Sequence, residues 1–280
     1  MAAAPISLTV RRRAALAFLL VPPMAWLIIA YLGSLAVLLV SAFWTTDTFT
    51  DAVVYTFTTD NIVRVLSDPT FRAVALRTIG VALLVTVCCI ALAVPLALYM
   101  AKVASPRMRL ALVVAVTTPL WASYLVKAYS WRIMLSGEGP LAWATGYTPG
   151  YGLTATVITL TYLWLPYMII PVFAAFERVP DSLIDASSDL GASDASTLRM
   201  VVAPLVFPGI AAGSIFTFSL SLGDYIAVTI VGGPSQLIGN VIYDKLSTNQ
   251  PLAGALSLIP LTAVILYLLA MRRTGALENV

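Results

Sequence analysis

Val179-Pro180-Asp181-Ser182-Leu183-Ile184-Asp185-Ala186-Ser187-Ser188-Asp189-Leu190-Gly191-Ala192-Ser193 is a short polar stretch between two long apolar runs, and it continues through Asp194 and Arg199 to Pro204. A plain turn suffices to join two membrane helices, so a helix-sized polar insert needs another reason to exist. With Ser182 as a helix start, Leu183, Ile184, Ser187 and Leu190 fall on one side. Asp181, Asp185 and Asp189, each four apart, fall on the other. Gly191 suits the left-handed residue that ends a helix. The pattern predicts helix, glycine break, helix.

The runs on either side fix the class. The chain has 280 residues, 60% hydrophobic and 10% charged, with a mean hydropathy of +0.94. It is too apolar for a soluble domain of this size. A membrane span takes roughly 20 residues, and residues 14–46, 78–101, 110–126, 139–176, 200–223 and 246–271 all lack Asp, Glu, Lys and Arg. Six transmembrane helices are expected, near 16–43, 76–101, 108–130, 153–176, 200–222 and 252–271, in a single membrane domain covering 1–280. The polar loop then occupies 177–199. The run after Arg11, Arg12 and Arg13 is about twice as long as a signal-peptide core, and no small-x-small cleavage site follows it. It is expected to remain as the first helix.

Lys and Arg set the orientation. With both termini in the cytoplasm, Arg11–Arg13, Lys102, Arg107, Arg109, Arg178, Arg199, Arg272 and Arg273 lie inside. Arg64, Arg72, Arg77, Lys127, Arg132 and Lys245 lie outside. The bias places 177–199 in the cytoplasm. The outer loop from Trp44 to Arg77 starts Thr-rich and extended. Helical spacing follows from Thr59, and Asp68-Pro69 turns into the second span. Residues 136–152 read as irregular outer loop, and a helix is expected from Leu237 to Leu246.

Absent residues exclude whole classes of chemistry. The chain has no His, which removes His-based acid–base catalysis and His-ligated metals. No G-x-x-x-x-G-K-[ST] occurs, and Gly232-Gly233-Pro234 reads as a turn. If ATP drives this protein, another chain binds it. Cys88 and Cys89 are helix neighbours, poorly placed for a disulfide. A net charge of +3 does not suggest nucleic acid.

The polar loop resembles the cytoplasmic coupling loop of ABC importer permeases, whose pattern is Glu-Ala-Ala, three residues, Gly, nine residues, then Ile-x-Leu-Pro. Ala186, Gly191 and Pro204 match outright, while Asp185, Ser187, Val201 and Ala203 are departures of similar size or charge. The spacing is intact. Three further stretches look like the polyamine (spermidine/putrescine) branch of that superfamily. They are Pro119 to Trp131, Leu222-Gly223-Asp224-Tyr225 with the following Gly232-Gly233, and the Val179-Pro180 and Asp189-Leu190-Gly191-Ala192 ends of the loop. Together they run from about residue 60 to the C-terminus.

This resemblance implies an all-α fold of the type I importer permease kind, with six spans and a cytoplasmic coupling helix. It implies a second, related permease, two ATP-binding subunits that carry the ATP and Mg, and an external solute-binding protein, all at a bacterial inner membrane. This chain itself would bind no cofactor or metal and perform no catalysis. Docking to the ATPase would fall to Asp181, Leu183, Ile184, Asp185, Ala186, Ser187, Asp189, Leu190, Gly191 and Pro204. The acidic triplet alone reads equally as a solvated face, since like charges four apart cost an isolated helix ~0.2–0.5 kcal/mol per pair.

A substrate pathway would involve Asp224, Tyr225, Trp121, Tyr124 and Trp131. Asp224 stands at the outer end of the fifth span, as a pathway carboxylate suited to a cation or as an interfacial residue reaching water. The aromatics also fit an interfacial belt, and Pro166 and Pro171 are expected to kink the fourth span. Opines, amino-acid derivatives, thiamine and ferric iron are the alternative solutes. An ATP-independent secondary transporter and a membrane-embedded lipid-modifying enzyme are the alternative classes.

Overall fold

A computed structural model describes residues 8–47, 50 and 52–273. The first rod is α1 (Leu8–Trp26), a π-helical stretch (Leu27–Leu32) and α2 (Gly33–Ser41). A small hairpin follows, β1 (Thr45–Thr46) against β2 (Val53–Val54), with Thr45 opposite Val54. Next come α3 (Asp60–Ser67) and α4 (Pro69–Leu98), which runs on through a π-helical turn at Tyr99–Val103. Asp68 starts α4 earlier than expected, because its carboxylate accepts from the Thr70 N–H and Pro69 takes the first helical position.

The third span departs from expectation. In place of one helix over 108–130 there are two, α5 (Pro106–Trp121) and α6 (Tyr124–Met134), bent by 100°. Ala122 and Ser123 between them are extended. Pro119 sits in the last turn of α5 with no N–H to donate. At its far end, α6 is drawn across the bundle by Arg132, whose guanidinium donates to the Ile230 carbonyl at 2.6 Å. Short α7 (Pro140–Thr145) interrupts the segment expected to be irregular, and α8 (Leu153–Glu177) is the fourth span.

The polar loop forms α9 (Asp181–Asp189) and α10 (Asp194–Thr197). A π-helical turn at Leu198–Val202 leads into α11 (Ala203–Gly223), then α12 (Ile226–Val231), α13 (Ile238–Thr248) and α14 (Gln250–Arg273). Among the described residues five helices are long and apolar enough to cross a membrane, and the bent α5–α6 pair makes six.

The core lies among α4, α8 and α11. Val81, Val85, Cys89, Ala93 and Ala97 recur every four residues along one face of α4 and are buried against Leu160, Met168 and Val172 of α8. Lipid tails give helices no hydrophobic reason to associate, so close packing has to do it. Gly209 and Gly213 of α11 permit that approach. A Cβ at Gly209 would lie 2.5 Å from the Ala175 Cβ, and one at Gly213 2.6 Å from the Met168 Sδ.

A second cluster gathers α3, α13, α14 and the end of the first rod through Val65, Ile238, Leu256 and Ala42. The rod before it is bare, with Phe18 81% and Trp26 73% exposed. The chain direction puts α9 and the outer loops at opposite ends of the bundle. Described basic side chains divide evenly between those ends, so the cytoplasmic bias rests on Arg11–Arg13 and Arg273, whose side chains lie outside the described residues.

Candidate functional site

Two places combine polar side chains with a defined geometry, one at each end of the bundle. The first is α9. Pro180 precedes it in extended conformation. Its end follows the expected form: Gly191 has φ +80°, its N–H bonds the Ser188 carbonyl at 2.8 Å, and the Ala192 N–H bonds the Ser187 carbonyl at 3.1 Å. Ser193 then caps α10.

The expected apolar side is divided between two surroundings. Ile184 packs against the bundle core, and Ser187 shares a 2.9 Å hydrogen bond with Thr197. Leu183 and Leu190 face outward, 42% and 89% exposed, together with Ala186, Asp185 and Asp189. Pro204 is exposed in the first turn of α11.

Asp181 leaves the acidic row. It pairs with Lys102 at 2.7 Å, and the same ammonium donates to the Val179 carbonyl at 2.6 Å. That hydrogen bond and the Lys102 charge hold the Asp181 carboxyl below its ordinary value of 3.8, with a smaller pull from Arg109. A lowered carboxyl favours the tethered state above the ordinary value and loses it only as pH falls through the lowered one. The tether is therefore expected to be indifferent to pH between about 5 and 8. A ¹³C titration of the Asp181 carboxylate checks this, and a midpoint at or above 3.8 would show the tether absent.

The second place lies at the opposite end, where α11 stops. Gly223 ends the helix and Asp224 is extended. The Asp224 Oδ1 accepts from the Ala227 N–H at 2.9 Å, capping the first turn of α12. Its Oδ2 accepts from the hydroxyl of Tyr124, the first residue of α6. One carboxylate thus ties together two helices that start at breaks. Asp224 is 7% exposed and is the only charged residue among the buried described ones. The interfacial reading, in which it reaches water, is not what is found. A buried carboxylate is tolerable only when hydrogen-bonded, and these two bonds meet that need.

Around it is a cavity of about 310 Å³, lined by Tyr124, Trp164, Ser219, Gly223, Asp224 and Tyr225, among others. The volume is at the small end for ligand sites, ~300–1,000 Å³. The Tyr124 and Trp164 rings lie 6.1 Å apart, and Tyr225 stacks on Tyr243 at 4.7 Å. A carboxylate beside aromatic faces is chemistry that suits a cation.

Of the expected pathway residues, Tyr124, Asp224 and Tyr225 come together. Trp121 is 91% exposed away from them. Trp131 packs on Tyr162 at 5.4 Å, outside the cavity. Trp164 was not foreseen. It is one tryptophan in an uncharged span, and only the fold brings it to Tyr124. Its Nε1–H is buried with no partner. Among the described residues no cluster of His, Cys, Asp and Glu is placed to hold a metal ion.

Comparison with known proteins agrees with this architecture. Two solved structures of a bacterial ABC transporter that imports alginate, one of them in complex with an alginate-bound periplasmic protein, superpose with TM-scores of 0.74 and 0.76. They cover 95% of this chain and 97% and 96% of theirs, at 18% and 16% identity. At that identity they speak for the fold.

The Escherichia coli inner membrane ABC transporter permease protein YdcU is 42% identical over 93% of this chain and 90% of its own length. The E. coli spermidine/putrescine permease PotB is 33% identical over 80% and 84%. Residues 9–273 match the binding-protein-dependent transport system inner membrane component family. This chain belongs to that family and is a multi-pass inner-membrane permease subunit of an ABC importer.

Proposed function

We propose that this permease moves a small cationic solute of the polyamine type, by alternating access, driven by ATP hydrolysis on separate subunits. The observation that carries the solute class is the buried Asp224 carboxylate in an aromatic-lined cavity. The 33% identical relative named for spermidine and putrescine leans the same way. A cation drawn from water needs replacement partners, which a carboxylate and ring faces supply. The name of the 42% identical relative states no solute, so an amino-acid derivative or another small cation is the second reading. Proteoliposomes with all subunits, offered labelled putrescine against a panel of such competitors, separate the two. Absence of putrescine uptake together with absence of uptake of every cation on the panel would sink both.

In this reading α9 is the coupling helix. Its exposed Leu183 and Leu190, with Asp185 and Asp189 beside them, enter a cleft of an ATPase subunit. Closure of the ATPase pair then displaces α9 and switches the bundle between two packed arrangements. A second permease lies against this one, and the bare rod at 16–32 is suited to such a contact. A solute-binding protein delivers from outside. ATP and Mg belong to the ATPase chains.

Coupling of this kind requires α9, and hence both termini, to face the cytoplasm. Reporter fusions after Gly275 are expected to be active only as cytoplasmic reporters, and fusions at Thr56 or Ser235 only as external ones. The reverse pattern would put α9 on the wrong side of the membrane and end the coupling reading.

A further inference from the structure

α4 and α9 are far apart along the chain, yet the structure joins them. The last turn of α4 widens to a π-helix, with the Ala104 N–H reaching the Tyr99 carbonyl. The neighbouring carbonyls of Met100 and Ala101 are taken by Arg109, whose Nε and Nη2 donate at 3.0 and 2.8 Å. Arg109 also meets Glu177 at 3.4 Å. Lys102 is held within this widened turn, its side chain 15% exposed. Its ammonium reaches across to two acceptors, the Val179 carbonyl and the Asp181 carboxylate. These flank Pro180, whose ring fixes φ and leaves the start of α9 little freedom. A pull on one side of Pro180 is therefore a pull on the helix.

Three ties fix α9 to three different elements. Lys102 joins its first residue to α4, Ile184 sits against the bundle core, and the Ser187–Thr197 bond joins its last third to α10. The Ser187–Thr197 bond lies on the chain that continues into α11. Of the two polar ties, Lys102 is the one that reaches the end of α4. From there the span runs roughly 50 Å at 1.5 Å per residue. Within its outer third, the Thr78 Oγ1 accepts from the Ile238 N–H at 2.9 Å, and Arg77 donates to the Gln236 carbonyl at 3.4 Å. Both partners lie at or just before the start of α13, one short loop beyond α12, the helix that Asp224 caps.

We propose that Lys102 is the positioning residue that makes α4 move with α9, so that displacement of the coupling helix is delivered to that span. This rests on the coupling reading above, in which α9 docks on the ATPase. As an ion pair with one exposed partner, the contact is worth little to stability. Its value is directional, since two hydrogen bonds from one ammonium define both distance and angle.

The test uses the assembled transporter in proteoliposomes, with three measurements: ATPase co-purified with the permease, stimulation of ATP hydrolysis by loaded binding protein, and solute moved per ATP. Lys102→Met keeps the stem and removes the donors. It is expected to retain co-purifying ATPase while solute moved per ATP falls roughly tenfold, within the range of couplings between sites. Lys102→Arg, with five N–H donors, is expected to restore that ratio to within about twofold.

A Lys102→Met complex with the wild-type ratio overturns the proposal. So does one that loses its ATPase, because Lys102 would then serve docking and not transmission, leaving the coupling reading intact. Should Lys102→Met fail to accumulate, Asp181→Asn removes one acceptor charge on an exposed side chain. A fall of about fivefold in solute per ATP supports transmission, and an unchanged ratio rejects it. A wild-type permease that brings down no ATPase overturns the coupling reading itself, and this one with it.

Discussion

Asp224→Asn is expected to lower polyamine uptake by more than about tenfold in proteoliposomes carrying the complete transporter, because a hydrogen bond to a charged group is worth ~1.5–3 kcal/mol. The substitution preserves shape. An amide oxygen can still accept the Ala227 N–H, which Asp224 Oδ1 now takes at 2.9 Å, so α12 keeps its cap. What disappears is the negative charge at a place that is 7% exposed, where water cannot replace it. A solute ammonium would be left with uncharged partners such as the ring faces of Tyr124 and Trp164, and cation–π attraction supplies only ~0.5–2 kcal/mol.

Uptake is read beside recovery of the assembled complex, so a folding defect is not mistaken for a lost contact. Wild-type uptake by the variant would take Asp224 out of the pathway and leave it as the cap and Tyr124 partner that the structure already describes. A wild-type complex that moves no polyamine would instead reject the solute class.

The parts legible in the sequence were those whose cause is local. Asp68-Pro69 starts α4 because a carboxylate cap and a fixed φ act within two residues. Gly191 lies in the left-handed region as expected, because only the chain's own geometry is involved. The helices at 60–67 and 238–248 followed from short-range spacing in the same way.

What stayed hidden depends on partners distant in sequence. The bend at Ala122–Ser123 follows from Pro119 only once α12 is there to receive Arg132. Nothing near Trp164 announces that it will meet Tyr124. Lys102 reads as one cation ending an apolar run until the fold brings it within 2.7 Å of a carboxylate 79 residues along the chain. The candidate cavity has the same character. Asp224 and Tyr225 were recognisable as neighbours in the chain, but Tyr124 enters across a separation of 100 residues. Equally, Trp121 and Trp131 share its helical neighbourhood and yet leave the site, Trp121 because the bend separates it from Tyr124 and Trp131 because it lies about two turns further along α6.

At the other end of the bundle, Gly191→Val is expected to cut binding-protein-stimulated ATP hydrolysis by roughly tenfold, while Gly191→Asn stays near wild type. The space around this glycine is open, with no atom within 4 Å of a built Cβ, so steric crowding by neighbours is not the cause. The backbone is. At φ +80° an L-residue carries ~1–2 kcal/mol of strain, and a β-branched side chain tolerates the region least. Asn visits it readily because its short polar side chain bonds locally.

Relief of the strain in the valine variant has to rotate the chain at 191. Two bonds depend on that turn, from the Gly191 N–H to Ser188 and from the Ala192 N–H to Ser187. With them goes the placement of Ser193, the cap of α10, and of Thr197, to which Ser187 is bonded. The helix itself, from Asp181 to Asp189, would survive with Leu183 still exposed for contact, so the ATPase should remain attached. It would no longer be rigidly joined to α11 through α10. A Gly191→Val complex that keeps its ATPase and full stimulation would show that α9 does not act as a lever through its C-terminal end. Loss of function in both Gly191→Val and Gly191→Asn would point away from backbone conformation and toward a surface that tolerates no side chain there.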